Sequence, residues 1–275
     1  MIEKILNDLI HEELILTKTN LGLTNTIYIS TLHNQKVVVR VPKKELLNSI
    51  AFSNEEQALT LLRPLALDAK ELFYDPSSRI RITKWIDDTC EFKDIQDKQD
   101  GVIRVARLLK TLHQANLKSG VRFDGLSLLK EYQSQILHPL YSYSEFNFIL
   151  DEINHINNPV CLCHNDVVSG NILFTDKQDY LIDYEYSKDN DPLFDITSFF
   201  TENKITDPIL RSHFYQEYFN HQPTSSQQHD LDCWEIFHNY LWCCWANMMY
   251  DTLHDDIYRH IAQDKYEALC ASVKK

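Results

Sequence analysis

The chain has 275 residues, 44% of them hydrophobic and 24% charged, with a formal net charge of −13. That is apolar material enough for one large domain or for two lobes sharing a cleft. An acid-rich balance without a basic stripe excludes a nucleic-acid binder and is compatible with a small cationic partner. No run approaches the ~20 apolar residues of a membrane-spanning helix. The start, MIEKILNDLIHEELIL, carries acids and reads as an amphipathic segment, not a secretion signal. The seven cysteines, at positions 90, 161, 163, 233, 243, 244 and 270, are odd in number and irregularly spaced. They read as reduced and mostly buried, and the expected location is the cytoplasm.

Residues 1 to about 16 predict a helix, with Ile2, Ile5, Leu6, Leu9 and Ile10 at helical spacing. LGLTNTIYISTLHNQKVVVRVP predicts a β-hairpin that turns at HNQ, with a buried strand Val37–Val41 closed by Pro42. SNEEQALTLLRPL follows as a helix, with Ser53 as N-cap and acids in the first turn. AKELFYDPSSRIRITKWI reads as a second hairpin turning at DPSS. DDTCEFKDIQD is a polar connection. DGVIRVARLLKTLHQANL then predicts a long helix with Val102, Val105, Ala106, Leu108, Leu109 and Leu112 as its apolar face. The chain stays mostly helical to Ile156. Three short strands follow at 160–163, 172–174 and 180–182. Beyond Asp195 the pattern is helical to the end, interrupted by a polar loop, NHQPTSSQQHD, over 220–230. The fold class is therefore α+β. A small N-terminal antiparallel-sheet lobe meets a hinge near Ile82–Asp87, a larger, mainly helical C-terminal lobe follows, and a ligand lies between them.

Two stretches carry the chemistry: CHNDVVSGNILF over 163–174 and LIDYEYSKDNDPLFD over 181–195. Asp166 follows a buried strand, Asn171 leads into the next, and Asp183 ends the third. Three oxygen-bearing side chains thus converge at one end of a hairpin-like scaffold. Such a set suits Mg²⁺, which takes a few protein oxygens and leaves room for phosphates. With Asn171 and Asp183 on the metal, Asp166 is free to accept a proton from a substrate hydroxyl, the division of labour of phosphoryl transfer. A lone Asp or Asn in a loop is ordinary. The ordered pair of motifs is what makes the pattern specific.

These motifs resemble the choline/ethanolamine kinases, within the protein-kinase-like fold that also includes aminoglycoside phosphotransferases. CHNDVVSGNIL is similar to that family's catalytic loop. LIDYEYSKDNDPLFDITSFFTE is similar to its longer second motif, here through Asp183, Glu185, Tyr186, Asn190, Asp195, Phe200 and Glu202. LGLTN resembles the nucleotide loop and brings in Asn25, although Gly22 is its only glycine. VVVRVP resembles the strand that bears a basic residue towards the phosphates, here Arg40, with Val39 and Val41 facing the core. The partner of that base is Glu55 or Glu56, with Glu55 favoured. ITKWIDD resembles the hinge. The resemblance implies a protein-kinase-like two-lobe fold with a nucleotide-binding lobe over 1–86 and a catalytic, acceptor-binding lobe over 87–275. It implies ATP and Mg²⁺ as cofactors. The metal ligands are Asn171 and Asp183, assisted by Glu185, and Asp166 is the base.

For the acceptor, a cationic alcohol needs aromatic faces and acids. NYLWCCWANMMY places Trp242 and Trp245 on one helix face, and the family has a similar Trp-x-x-Trp helix lining its choline pocket. Tyr186 and Glu202 complete the expected pocket, with Tyr250 and Tyr258 as secondary candidates. Past this helix the family's Tyr-x-x-x-Arg-aromatic pattern becomes Ile261 and Lys265–Tyr266, so one aromatic wall is absent. Choline is the expected acceptor. Ethanolamine, thiamine or an aminoglycoside are the alternatives, and an inactive ligand-binding relative is the reading from outside catalysis. CLCH over 161–164 lacks the second ligand pair of a structural zinc site. Cys161 and Cys163 read as core, and His164 as loop support.

Overall fold

The computed structural model describes residues 14–22, 24–43 and 54–273. The helix expected over 1 to about 16 lies almost wholly outside them, as does Ser53. The small lobe is one antiparallel sheet of five strands: β1 (Thr17–Lys18), β2 (Asn25–Leu32), β3 (Gln35–Pro42), β4 (Glu71–Asp75) and β5 (Ile80–Lys84), in the order β1-β2-β3-β5-β4. The first hairpin turns on His33 and Asn34, both with positive φ (48° and 61°). A two-residue turn between right-twisted strands demands that backbone, and Asn tolerates it. Strand alternation sends Val37, Val39 and Val41 into a small core with Leu14, Leu32, Ile80 and Ile82. The register pairs Tyr28 with Val39 and Ile27 with Arg40. Tyr28 therefore joins the core side, while Arg40 leaves from the opposite face.

Helix α1 (Glu55–Leu62) crosses next, and its Ala58, Leu59 and Leu62 pack into the core of the large lobe. That lobe holds β6 (Cys90–Glu91), α2 (Lys98–Gln114), α3 (Gly125–Gln135), α4 (Phe148–His155), β7 (Cys161–Cys163), β8 (Ile172–Phe174), β9 (Asp179–Leu181), β10 (Lys188–Asn190), α5 (Pro192–Glu202), α6 (Pro208–Phe219), α7 (Ser225–Leu253) and α8 (Asp256–Ser272). About half of the chain is helical. All six apolar residues expected on the face of α2 are buried. None of the described helices is long and apolar enough to cross a membrane.

Two expectations need correction. The short strands form two sheets, not one. The strand at 161–163 pairs with β10, a strand the sequence did not announce, while β8 pairs with β9 and with β6, which lies inside the stretch read as a polar connection. Strands of two or three residues are too short to show alternation, so only their partners define them. The polar loop over 220–230 is likewise shorter than expected, because α7 begins at Ser225. Thr224 accepts from the Gln227 N–H at 3.3 Å, and the Gln227 side chain accepts from the Thr224 N–H at 3.0 Å. This reciprocal cap starts a helix whose first turns are polar, and apolar periodicity cannot see such a start. Removing the cap with Thr224→Ala is expected to cost about 1 kcal/mol. Urea unfolding would show a lower midpoint at an unchanged m-value.

Candidate active site

The loop between β7 and β8 is held from behind by α5. Asp195 accepts the backbone N–H of His164 and of Asn165, each at 2.7 Å. Its Oδ2 also meets His113 Nε2 of α2 at 3.0 Å, and His113 Nδ1 meets the Tyr218 hydroxyl at 2.7 Å. Asn165 takes a positive φ of 67°, a conformation that Asn adopts more readily than most residues. Its side chain donates to Tyr186 O at 3.0 Å and accepts from Asn190 Nδ2 at 2.8 Å. The Asp166 N–H donates to His164 Nδ1 at 3.2 Å, so the imidazole proton sits on Nε2 and donates to Ile182 O at 2.9 Å. Burial lowers the His164 pKa and keeps it neutral.

Two further motif acids also build the frame. Asp189 accepts the N–H of Ser119 at 2.7 Å and of Gly120 at 2.9 Å. Asp191 caps α5 through Leu193 N–H at 2.9 Å and accepts Trp234 Nε1–H at 2.8 Å.

In front of this frame stands the cluster that the sequence singled out. Asn171 Nδ2 donates to Asp166 O at 2.9 Å and to Asp166 Oδ2 at 3.2 Å. Ile182 N–H donates to Asn171 O at 2.8 Å, which sets Asp183 beside Asn171. Asp183 has a positive φ of 68° and receives Arg40 Nη1 at 2.6 Å. Arg40 is also paired with Glu55, whereas Glu56 is exposed. Glu185 accepts from Thr24 Oγ1 at 2.6 Å and from Asn25 Nδ2 at 2.9 Å. Asn25 therefore reaches the site by holding Glu185. Thr24, which carries the shortest of these bonds, was not singled out from the sequence, although it lies inside LGLTN.

The charges are crowded. Burial raises the Asp166 pKa well above the carboxylate range, and the negative charges of Glu202, Asp183 and Glu185 add to it. Glu185 is pushed up to about 8, by burial first and by Asp183 second. Burial opposes the charge on Arg40, but Glu55, Asp183 and Glu185 outweigh it and keep the guanidinium protonated. Such a cluster favours an added cation. Among the described residues, Asn171 Oδ1 and Asp183 Oδ2 accept no hydrogen bond. Hard oxygens without protein donors fit Mg²⁺.

In the large lobe, aromatic residues line up edge to face. Tyr186 and Trp242 have ring centroids 5.2 Å apart, Trp242 and Trp245 5.7 Å, and Trp245 and Tyr258 5.6 Å. The two tryptophans are only 6% and 8% exposed and, with Tyr186 and Tyr258, are part of the hydrophobic core of the large lobe. Tyr250, half-buried at the end of α7, takes part in none of these ring pairs. Glu202, at the end of α5, is bound by Lys265 Nζ of α8 at 2.6 Å. Trp242 Nε1–H donates to His238 Nε2 at 2.9 Å, so the His238 proton is on Nδ1 and faces Thr201 Oγ1 at 2.8 Å. Among the described residues, Lys265 is thus the cation on Glu202. Its place had registered in the sequence only as a departure from the family pattern.

The raised pKa of Glu185 has a consequence for stability. Between its unfolded pKa near 4.5 and its folded value near 8, the unfolded chain has lost the proton that the folded site keeps. Glu185 therefore costs the ligand-free protein stability progressively as pH rises through that window. Glu185→Gln removes this titration. The melting temperature of the wild type, measured without ligands, is expected to fall relative to that of the variant from pH 4.5 to pH 8.

A family model described as choline/ethanolamine kinase matches residues 16–268. Protein LicA of Haemophilus influenzae is 25% identical over 246 residues, covering 82% of this chain and 71% of the relative. Choline kinase alpha of Mus musculus is 31% identical over 113 residues, 38% of this chain and 25% of the relative. Among solved structures, choline kinase LicA from Streptococcus pneumoniae superposes with a TM-score of 0.81 at 22% identity, covering 98% of this chain and 99% of that one. A macrolide 2'-phosphotransferase type I shares the fold with a TM-score of 0.66 at 15% identity, covering 96% of this chain and 94% of that one. With its antiparallel small lobe, its helical large lobe and the acid-lined cleft between them, this chain belongs to the choline/ethanolamine kinase family of phosphotransferases.

Proposed function

We propose that the chain transfers the terminal phosphoryl group of ATP to the hydroxyl of choline, in the cytoplasm. The observation that carries the choice of acceptor is the state of Glu202. A primary ammonium needs oxygen acceptors for three N–H donors. A quaternary ammonium has none to donate and is held by aromatic faces. Here the pocket carboxylate is already bound by Lys265, while Tyr186, Trp242 and Trp245 offer contiguous rings. That balance favours the quaternary ion. Choline is also the acceptor named for the Streptococcus pneumoniae relative, and AMP is bound in another LicA structure. All seven cysteines are free, in keeping with a reducing compartment.

The lobe over 1–86 takes the nucleotide and the lobe over 87–275 takes the alcohol. Arg40, fixed between Glu55 and Asp183, faces the phosphates. Asn25 and Thr24 hold Glu185 in place at the mouth of the nucleotide site. Asn171 and Asp183 would hold Mg²⁺, with Glu185 next to them, and the ion would neutralise charge on the phosphates. Asp166 receives the hydroxyl proton as the new O–P bond forms and the bond to ADP breaks. Its raised pKa belongs to the ligand-free cluster. A cationic alcohol and a divalent ion nearby would bring it down to the ionised form that a base requires.

The test is ATP consumption with Mg²⁺ across choline, ethanolamine, thiamine and an aminoglycoside. Choline-dependent turnover is expected, and Asp166→Ala should lower kcat by roughly 10²- to 10⁴-fold without changing nucleotide affinity. Turnover with ethanolamine alone would keep the mechanism and discard the acceptor. No turnover with any of the four, while nucleotide still binds, would favour the inactive ligand-binding relative. Trp242→Phe is expected to raise the KM for choline about fivefold, the equivalent of ~1 kcal/mol of cation–π attraction, and to leave the KM for ATP unchanged.

A further inference from the structure

Away from the cleft, three side chains of metal-binding type meet on the surface. His229 and Cys233 stand four residues apart on α7, one turn above the other on one face. Glu152 of α4 comes to the same point from the neighbouring helix. His229 Nε2 lies 3.6 Å from Glu152 Oε2 and 3.7 Å from Cys233 Sγ. All three ligand atoms lie within 4.8 Å of one another. An N–O contact of 3.6 Å is long for a hydrogen bond. It is close to the ligand-to-ligand edge of a tetrahedral zinc site, about 3.4–3.6 Å from Zn–N, Zn–S and Zn–O bonds of ordinary length.

We propose that Glu152, His229 and Cys233 form a Zn²⁺ site that ties α4 to α7. The donor set selects the metal. One thiolate and one imidazole favour zinc over magnesium or calcium, which prefer oxygen. Burial, and then the negative charges of Glu152, Asp230 and Asp232, push the Cys233 thiol up to about 11, so a metal bound there has to displace the thiol proton. Three protein ligands leave a fourth position on the solvent side, where the His229 and Glu152 side chains are 63% and 49% exposed. Water or another small donor completes the tetrahedron there. The route in is open, and Cys233 forms the buried floor.

A second group in the fold has the same residue types and shows the contrast. His113, Cys163 and Asp195 also lie within metal-binding distance, and all are buried. Their atoms are already in use. His113 spends both nitrogens on Tyr218 and Asp195, and Asp195 holds the backbone of the catalytic loop. A metal there would have to break that anchor. At Glu152, His229 and Cys233, among the described residues, no shorter polar contact competes for the ligand atoms.

The experiment is calorimetric titration of the full chain with Zn²⁺ in reducing buffer, with Mg²⁺ in excess to saturate the oxygen ligands of the cleft. One Zn²⁺ per chain is expected. His229→Gln, a change at an exposed side chain, should weaken it at least about tenfold, and Cys233→Ala should do the same. Zn²⁺ should raise the melting temperature of the wild type, and that of His229→Gln by less. Co²⁺ in place of Zn²⁺ should give a thiolate-to-metal charge-transfer band that Cys233→Ala abolishes. Absence of stoichiometric Zn²⁺ binding would overturn the proposal. So would unchanged affinity in His229→Gln, which would put the ion on other ligands. Neither result depends on the acceptor alcohol, so the site stands or falls apart from the proposed activity.

Discussion

Like charges gathered in a partly buried cleft govern much of this structure. Burial raises the cost of ionising Asp166 and Glu185, and negative charge adds to it, from Glu202, Asp183 and Glu185 at Asp166 and from Asp183 at Glu185. Two cations offset that repulsion from opposite ends. Arg40 reaches down from the small lobe to Asp183, and Lys265 reaches across from α8 to Glu202. Asp166, between these ends, makes no ion pair with either. Asp166 is thus the acid of the cluster left without a countercharge from these two cations.

A cluster of this kind needs a rigid support, because each acid would otherwise turn towards water. The support is supplied by hydrogen bonds from the second motif. Asp195 fixes the loop that bears Asp166, Asn190 and Asn165 lock it sideways, and Asp191 starts the helix on which Asp195 rides. Asp189, Asp191 and Asp195, half of the carboxylates in that motif, therefore hold backbone groups, while Asp183, Glu185 and Glu202 belong to the charged cluster. The same economy joins the lobes. Arg40 with Asp183, and Thr24 and Asn25 with Glu185, are contacts between the small sheet and the catalytic loops. Any movement of the small lobe is felt directly at Asp183 and Glu185.

Much of the site was legible because its residues are close together in the chain. Asp166, Asn171 and Asp183 span fewer than twenty positions, and short strands at known spacing bring them to one edge. The placement of Arg40 followed from alternation in a strand whose other face is valine. The partner of Arg40 was readable as one of two adjacent acids, and the helix phase decided for Glu55. The pairing of the strands at 161–163 and 188–190 was not legible, since three-residue strands have no periodicity of their own. The start of α7 was hidden for a related reason. A capping box sets it and no apolar stripe marks it.

The sequence by itself determined the two-lobe order, the buried valine strand, the long amphipathic helix and the acid, amide, acid set, because each depends on residues near one another in the chain. Tertiary structure alone decided three things. It placed Lys265 on Glu202, it set Thr24 and Asn25 under Glu185, and it brought Glu152 to His229 and Cys233. Each of these joins side chains separated by more than sixty positions. Their meeting depends on how helices and sheets pack against one another, which no local pattern of residues records.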